Sequence, residues 1–292
     1  MYVITLPSFT TNEQAVSIPK NMQTLVISND EKRFQQNLLD LSLRLDGREP
    51  LDSRKFKIEI NPLPLSPSSC RVIWGHGYGD TTEIMVSVST EIMRNEQSLT
   101  QLSVKALSGS FGEDLERSDE ICQVVKNTLD KFLENSGAID REQLRISNSQ
   151  YSWKVFIDVL IYKAAGAVYE ASMLGIRESL KRLKFPELII TPGETLSELH
   201  FDIDENKEER NLIHSEKLPY VMSFAASPNG LFLDPTPLEI SVIQSLLVIG
   251  FSRNGEILGL DHFGECGLRK WAIAEITEKS QTLLSEMVSF DE

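Results

Sequence analysis

Cysteine is scarce. The 292 residues hold three, Cys70, Cys122 and Cys266, far apart and odd in number. That spacing excludes a disulfide framework and points to a reducing compartment. No Cys-x-x-Cys pair occurs, so a cysteine-built zinc site is excluded as well. Long apolar runs are also missing. The most apolar region, Val155 to Leu174, contains Asp158, Lys163 and Glu170, the mark of a core strand and helix rather than a membrane span. Residues 1–30 lack a basic start followed by an apolar block, so no signal peptide is expected. Positive charge is in deficit too: 29 Lys and Arg face 43 Asp and Glu, a net charge of −14. A free-standing nucleic-acid binder usually has the opposite sign, because phosphate contacts supply most of its affinity. The deficit is concentrated in residues 112–142 and 187–217. Elsewhere, a local basic patch could still meet RNA inside an assembly.

The remaining composition is that of a soluble globular chain, 41% hydrophobic and 25% charged. The length suits one large domain or two ordinary ones, with enough chain to bury a core unaided.

Asp30 can cap a helix from Glu31 to about Leu43, with Phe34, Leu38 and Leu41 on one face. Alternation predicts strands at Lys55–Asn61, Cys70–Trp74, Glu83–Ile92 and Leu99–Ala106. Ser118 caps a predicted helix carrying Ile121, Val125, Leu129, Phe132 and Leu133, and Gly137 ends it. Tyr151–Ile161 is apolar on both faces and is expected at the centre of a sheet. Ala164–Leu183 reads as a helix and Glu187–Thr191 as a short strand. The acidic stretch 193–217 reads as a connector. Beyond it, strands are predicted at Leu218–Ala225, Leu231–Leu233, Ile240–Phe251 and Glu256–Leu260, with turns at Pro228-Asn229-Gly230 and Arg253-Asn254-Gly255. A closing helix runs from Gly267 to Met287. The order implies an α/β (α+β) fold in two related parts, with mixed sheets and packed helices.

Candidate chemistry is sparse. The turn Gly75-His76-Gly77-Tyr78-Gly79-Asp80 could cradle a phosphate. However, a strand follows it rather than a helix, and no Lys-Ser/Thr is present. The plain turn is the favoured reading, and a small-molecule kinase built on this turn fails for the same reason. His262 and Cys266 are four apart but have no third ligand nearby, so no metal site is expected. No Gly-x-Ser-x-Gly elbow exists. The carboxylate pairs Glu113-Asp114, Asp202/Asp204 and Glu208-Glu209 read as solvated faces. Asp158 interrupts an apolar strand, and the simplest account is a position that reaches solvent or a structural arginine.

Several motifs, taken together, are more specific. Arg44-Leu45-Asp46-Gly47-Arg48 with Arg54 resembles the opening motif of RNase PH-type proteins. Gly79-Asp80-Thr81 with Ile84–Val88 resembles the family's turn and strand. Glu116–Ile121 sits where the first long helix begins. Tyr151–Val159 is similar to the central strand. Pro219–Phe224 followed by Asp234-Pro235-Thr236 and Glu239 resembles the second-half pattern. The resemblance covers about residues 44–288. It is strongest to the non-catalytic class of the eukaryotic exosome ring, and within that class the motifs fit one ring position best, with its two sibling non-catalytic positions next.

The resemblance implies a two-part RNase PH-like fold: an N-terminal extension with a helix (1–43), a first domain (44–192), an acidic connector (193–217) and a second domain (218–292). It implies a hetero-oligomeric ring with other RNase PH-like subunits and cap subunits. Single-stranded RNA would pass through that ring for 3′–5′ processing and decay, including ribosomal RNA maturation, in the nucleus, nucleolus and cytoplasm. Active relatives hold phosphate with Gly-Ser/Thr-Arg after the central strand. Here the stretch is Ala164-Ala165-Gly166-Ala167-Val168-Tyr169. Active relatives also carry two acids where Asn211 and Lys217 stand here. The resemblance therefore implies no catalytic residue, no metal and no cofactor, with Lys126 and Lys131 on the first long helix as the RNA-contact candidates. The alternative is an active phosphorolytic exoribonuclease acting as a homo-oligomer, which the Ala164–Tyr169 stretch disfavours.

Overall fold

The computed structural model describes residues 27–288 except 78–79, 95–97, 112–114, 147–149, 193–198, 205, 228–229, 244 and 265–269. Tyr78-Gly79, Glu113-Asp114, Pro228-Asn229, Cys266 and residues 1–26 of the N-terminal extension therefore lie outside the described residues.

Five strands form the first sheet: β1 (Phe56–Ile60), β2 (Ser68–Trp74), β3 (Thr82–Arg94), β4 (Thr100–Ala106) and β5 (Tyr151–Lys163), in the order β1-β2-β3-β5-β4. All neighbours are antiparallel except β4 and β5, which run parallel. The alternation predicted for β3 is real: Ile84, Val86 and Val88 are fully buried on one face. β5 is an inner strand, but it is not buried on both sides. Val155, Ile157, Val159 and Ile161 face the core, while Phe156, Leu160 and Tyr162 are half-buried and Asp158 is exposed. Asp158 thus reaches solvent between Ser87 and Ser103 on the neighbouring strands.

Three helices precede or interrupt these strands in the chain, the first of them packed on the second half of the molecule. The first, α1 (Asn29–Asp40), is capped by Ser28 rather than Asp30, in a reciprocal capping box with Glu31. Its inner face is Gln35 and Leu39, and Phe34 and Leu41 point outward. The long helix α2 (Leu115–Ser136) starts ahead of Ser118, which lies within its first turn. Its predicted apolar stripe is buried as expected, and Gly137 ends it at φ +60°. A single turn, α3 (Arg141–Leu144), leads into β5.

Helix α4 (Val168–Arg182) is buried on nearly every side, from Val168 to Leu180. It packs on β2 and β3 and also on the second sheet. After it, β6 (Leu188–Pro192) pairs with β7 (Leu199–Ile203), so the acidic stretch expected to be a plain connector contains a strand. Charged residues alternating with Leu199, Phe201 and Ile203 hid that strand from a composition-based reading.

The second sheet has the order β11-β10-β8-β9, from β8 (Tyr220–Ser227), β9 (Gly230–Leu233), β10 (Ser245–Phe251) and β11 (Ile257–Gly264). The predicted strand at Ile240–Phe251 is corrected: its first third belongs to helix α5 (Pro237–Ile243). Thr236 and Glu239 cap that helix reciprocally, and Pro237 opens it. Helix α6 (Lys270–Val288) closes the chain.

One main core joins both sheets, taking Val72, Val86 and Ile157 from the first and Val221, Leu246 and Val248 from the second. Phe132 of α2 lies over Gly250 and Gly259, a directly opposed pair on β10 and β11. A Cβ at either glycine would fall within 2.8 Å of the Phe132 ring. No described helix is long and apolar enough to cross a membrane.

Candidate functional site

The arginines of the opening motif do not face solvent. Arg44 is buried and donates to both oxygens of Glu239, Nε to Oε1 at 2.8 Å and Nη2 to Oε2 at 2.7 Å. It also donates to the carbonyls of Leu233 and Asp234. Arg54 grips Asp234 in the same two-pronged way, Nε to Oδ2 at 2.9 Å and Nη2 to Oδ1 at 2.6 Å. Its Nη1 donates to the carbonyls of Ala165 and Asp80. Arg48 adds a contact to Asp234 Oδ2 at 3.3 Å, and the Trp74 indole donates to that oxygen at 3.1 Å. Planar guanidinium and carboxylate groups match in this geometry, which suits a buried pair. Asp234 itself adopts φ +49°, an unusual backbone state that Asp tolerates better than most residues. The network ties residues 44–54 to the start of α5 and to the loop ahead of α4. Its arginines are spent on internal carboxylates.

That loop is the Ala164–Tyr169 stretch singled out in the sequence. Thr82 at the start of β3 shapes it. Its hydroxyl accepts from the Ala165 N–H at 2.8 Å and donates to the Gly166 carbonyl. Gly166 is at φ +82°, and a Cβ there would meet the Pro235 carbonyl at 2.5 Å, so only glycine fits. Ala167 precedes α4 at φ +48° with no side-chain cap.

The helix start opens onto a cleft of about 570 Å³. Leu45, Phe111, Ala165, Ala167, Val168 and Leu238 supply much of its wall. Its ionisable lining consists of Asp46, Asp80, Tyr169 and Glu239, and no Lys, Arg or His is among the described lining residues. Glu170, in the first turn of α4, is buried behind Ser223. Its Oε1 accepts from the Ser223 N–H at 2.6 Å and from the Ser223 hydroxyl, and its Oε2 has no partner among the described residues. Burial, followed by the nearby Asp234 charge, pushes this carboxyl up to about 7 against the pull of the Ser223 bonds. Burial also raises the pKa of the Tyr169 hydroxyl, which likewise has no partner among the described residues.

The two other positions singled out by sequence do not join this cleft. Asn211 donates to the carbonyls of Leu180 and Lys181 in the last turn of α4. At ~1.5 Å of rise per residue, that is roughly 18 Å along the helix from Val168. Lys217 is exposed in a 3-10 turn (Ser215–Lys217), next to Leu218, whose carbonyl accepts from Arg177 midway along α4.

Of the RNA-contact candidates, Lys131 donates to Asp261 Oδ1 at 2.5 Å and to the Leu260 carbonyl at 3.0 Å on β11. Lys126 lies 4.0 Å from Asp130 on its own helix. Burial, only partly offset by Lys126, pushes the Asp130 carboxyl up to about 6. His262 is bonded to Ser245 at 3.2 Å, and burial lowers its pKa. Sequence reasoning missed Glu170 and Tyr169 as features of the cleft. The signal available was a carboxylate inside the otherwise uncharged first half of the helix, Val168 to Ile176.

No family model matches the chain. Relatives do. Exosome complex component RRP42 of Saccharomyces cerevisiae is 28% identical over 222 residues, 74% of this chain and 77% of its own length. The component Rrp42 of Methanothermobacter thermautotrophicus is 24% identical, over 82% of this chain and 86% of its own. RRP45 of Danio rerio is 25% identical over 91% of this chain, which spans only 66% of that longer protein. Among solved structures, an exosome of Archaeoglobus fulgidus with RNA bound to the active site matches with a TM-score of 0.74 at 18% identity, over 90% of this chain and 98% of that one. An archaeal exosome core matches with a TM-score of 0.69 at 20% identity, over 90% and 97%. The likeness to these solved structures spans most of the chain, and the chain has the fold of the exosome core and is similar in sequence to exosome components of the RRP42 and RRP45 type.

Proposed function

We propose that the chain is a non-catalytic subunit of an exosome ring. It would help to wall a channel for single-stranded RNA in 3′–5′ processing and decay, ribosomal RNA maturation included. Its partners would be other RNase PH-like ring subunits and cap subunits, working in the nucleus, nucleolus and cytoplasm. Residues 44–192 and 218–292 would be its two RNase PH-like parts.

The observation that carries this reading is the cation-free cleft at the start of α4. Phosphorolysis must stabilise phosphate and the negative charge that develops in the transition state. Here the nearby guanidiniums of Arg44, Arg48 and Arg54 are bound to Glu239, Asp46 and Asp234. The carboxylates of Asp80 in the cleft and Glu170 behind it would oppose binding of the anion. The candidate acid positions, Asn211 and Lys217, carry no acid, and Asn211 sits at the last turn of α4 while Lys217 lies beside Leu218, which is bonded midway along it.

In this role Lys126 and Lys131 contribute weakly to RNA contact, since Lys131 is committed to Asp261. The test is a phosphorolysis assay on the purified chain with single-stranded RNA, phosphate and magnesium. No nucleoside diphosphate should be released above background. Release that mutations in the Ala164–Tyr169 loop abolish would overturn the reading in favour of an active homo-oligomeric exoribonuclease.

A further inference from the structure

We propose that the free edge of β1 is a self-complementary surface on which a second copy of this chain pairs, strand to strand, around a two-fold axis at Ile58. β1 is an outer strand of the first sheet, with β2 on one side and no strand on the other among the described residues. Antiparallel neighbours exchange hydrogen bonds at alternate residue pairs. The Asn61 N–H donates to the Ser69 carbonyl at 2.8 Å and the Gly75 N–H to the Lys55 carbonyl at 2.8 Å, which sets the phase of the β1–β2 register. Lys57 and Glu59 therefore bond to β2, and the N–H and C=O of Ile58 and Ile60 point away from it. Neither isoleucine has a backbone partner on that outer side among the described residues. β1 contains no proline and no irregularity of register, two of the devices that blunt an edge.

The chemistry of the edge fits its own copy. With Ile58 opposite Ile58 of the second copy, the two exchange both backbone bonds, and Ile60 falls opposite Phe56 of the second copy. Side chains at 56, 58 and 60 share the core face of the sheet, which is only partly covered at this edge: Ile60 is 40% exposed, and Phe56 and Ile58 are half-buried. Pairing closes an apolar strip over them. Past Ile60 the hairpin tip, with Leu63 and Leu65 37% and 101% exposed, would run alongside the second copy. On the opposite face the same register sets Lys57 against Glu59 of the second copy, once on each side of the axis. A shift of two residues either way sets Lys57 against its own copy or Glu59 against its own copy, and like charges directly opposite are destabilising. Charge therefore selects the register centred on Ile58.

A two-fold pair of this kind closes on itself and does not grow into a ring. The proposal is thus separate from the ring reading and from the homo-oligomeric alternative. One strand pair buries less than a standard interface of ~1,600 Å², so a dissociation constant in the micromolar range is expected. The experiment is sedimentation equilibrium of the full-length chain over about 1–200 μM protein in about 0.15 M salt. A reversible monomer–dimer equilibrium is expected. Lys57→Glu sets like charges opposite each other twice and should weaken the dimer about five-fold. Adding Glu59→Lys restores opposite charges and should return the affinity to within about two-fold of the original. Ile58→Pro removes an N–H that no partner within the chain uses and should abolish pairing. If Ile58→Pro does not fold, the two charge variants decide. A chain that stays monomeric overturns the proposal, as does a dimer indifferent to these variants, which would rest on another surface. Protection of the β1 amides from hydrogen exchange only after an RNase PH-like neighbour is added also overturns it and assigns the edge to that neighbour. None of these outcomes bears on phosphorolysis, so the ring reading stands or falls on its own assay.

Discussion

Glu170→Gln should make the protein more stable at neutral and alkaline pH. The carboxyl is fully enclosed, one oxygen is held by Ser223, and the other has no partner among the described residues. Burial, together with the Asp234 charge, lifts its pKa from an ordinary 4.5 to about 7. The folded state therefore holds a proton that the unfolded chain releases. The resulting stability is fully present below about pH 4.5 and is lost as pH rises through about 7. Each pKa unit corresponds to about 1.4 kcal/mol, so the full loss is on the order of 3 kcal/mol. The neutral amide has nothing to titrate, and its oxygen can still accept from Ser223. The assay is urea unfolding of both proteins from about pH 5 to pH 8. Other carboxylates titrate in both proteins and cancel in the difference. The variant should gain on the wild type by on the order of 3 kcal/mol across that range, with most of the change below about pH 7. A stability difference that stays flat with pH would refute the reasoning.

Three further predictions follow from the buried network and from α2. Asp234→Asn leaves Arg54 enclosed without its counter-ion, and its urea midpoint should fall by the equivalent of about 3–5 kcal/mol; a loss below about 1 kcal/mol would refute the network's structural role. Gly250→Ala drives a methyl into the Phe132 ring, so its thermal midpoint should drop by an amount corresponding to about 1–3 kcal/mol, and an unchanged midpoint would show that α2 can yield. Replacing Lys126 and Lys131 with Glu should reduce RNA crosslinking of the assembled ring only modestly, and complete loss of RNA would give these lysines a larger role than their geometry supports.

Local periodicity was enough to find β3, α2 and most of the sheet strands, because each presents one continuous face to the core. It failed where local chemistry and tertiary packing diverge. The run from Ile240 to Phe251 is apolar throughout, so its pattern cannot separate helix from strand, and only Thr236, Pro237 and Glu239 mark α5. In α1 the apolar Phe34 turned outward, as did Leu41 just past its end, while the polar Gln35 was buried. The choice was made by packing against α5, which sequence does not display. The cleft was half legible. The Ala164–Tyr169 stretch announced a missing cation, but the arginine pairings with Asp234 and Glu239 span about 180–195 positions and leave no local trace. The bond from Lys131 to Asp261 was hidden for the same reason.

Phe132, Gly250 and Gly259 behave as a single heritable unit. A side chain at either glycine is excluded while the ring is present, and a smaller residue at 132 would leave a void above two bare backbones. Drift at any one of the three is therefore blocked unless another changes with it. Related sequences should show bulk moving between the helix and the strand pair, with a larger residue at 250 or 259 accompanied by a smaller one at 132. An aligned set in which the three vary independently would mean that α2 sits differently on the second sheet in those proteins, carrying the residues at 126 and 131 to a new place relative to the rest of the molecule.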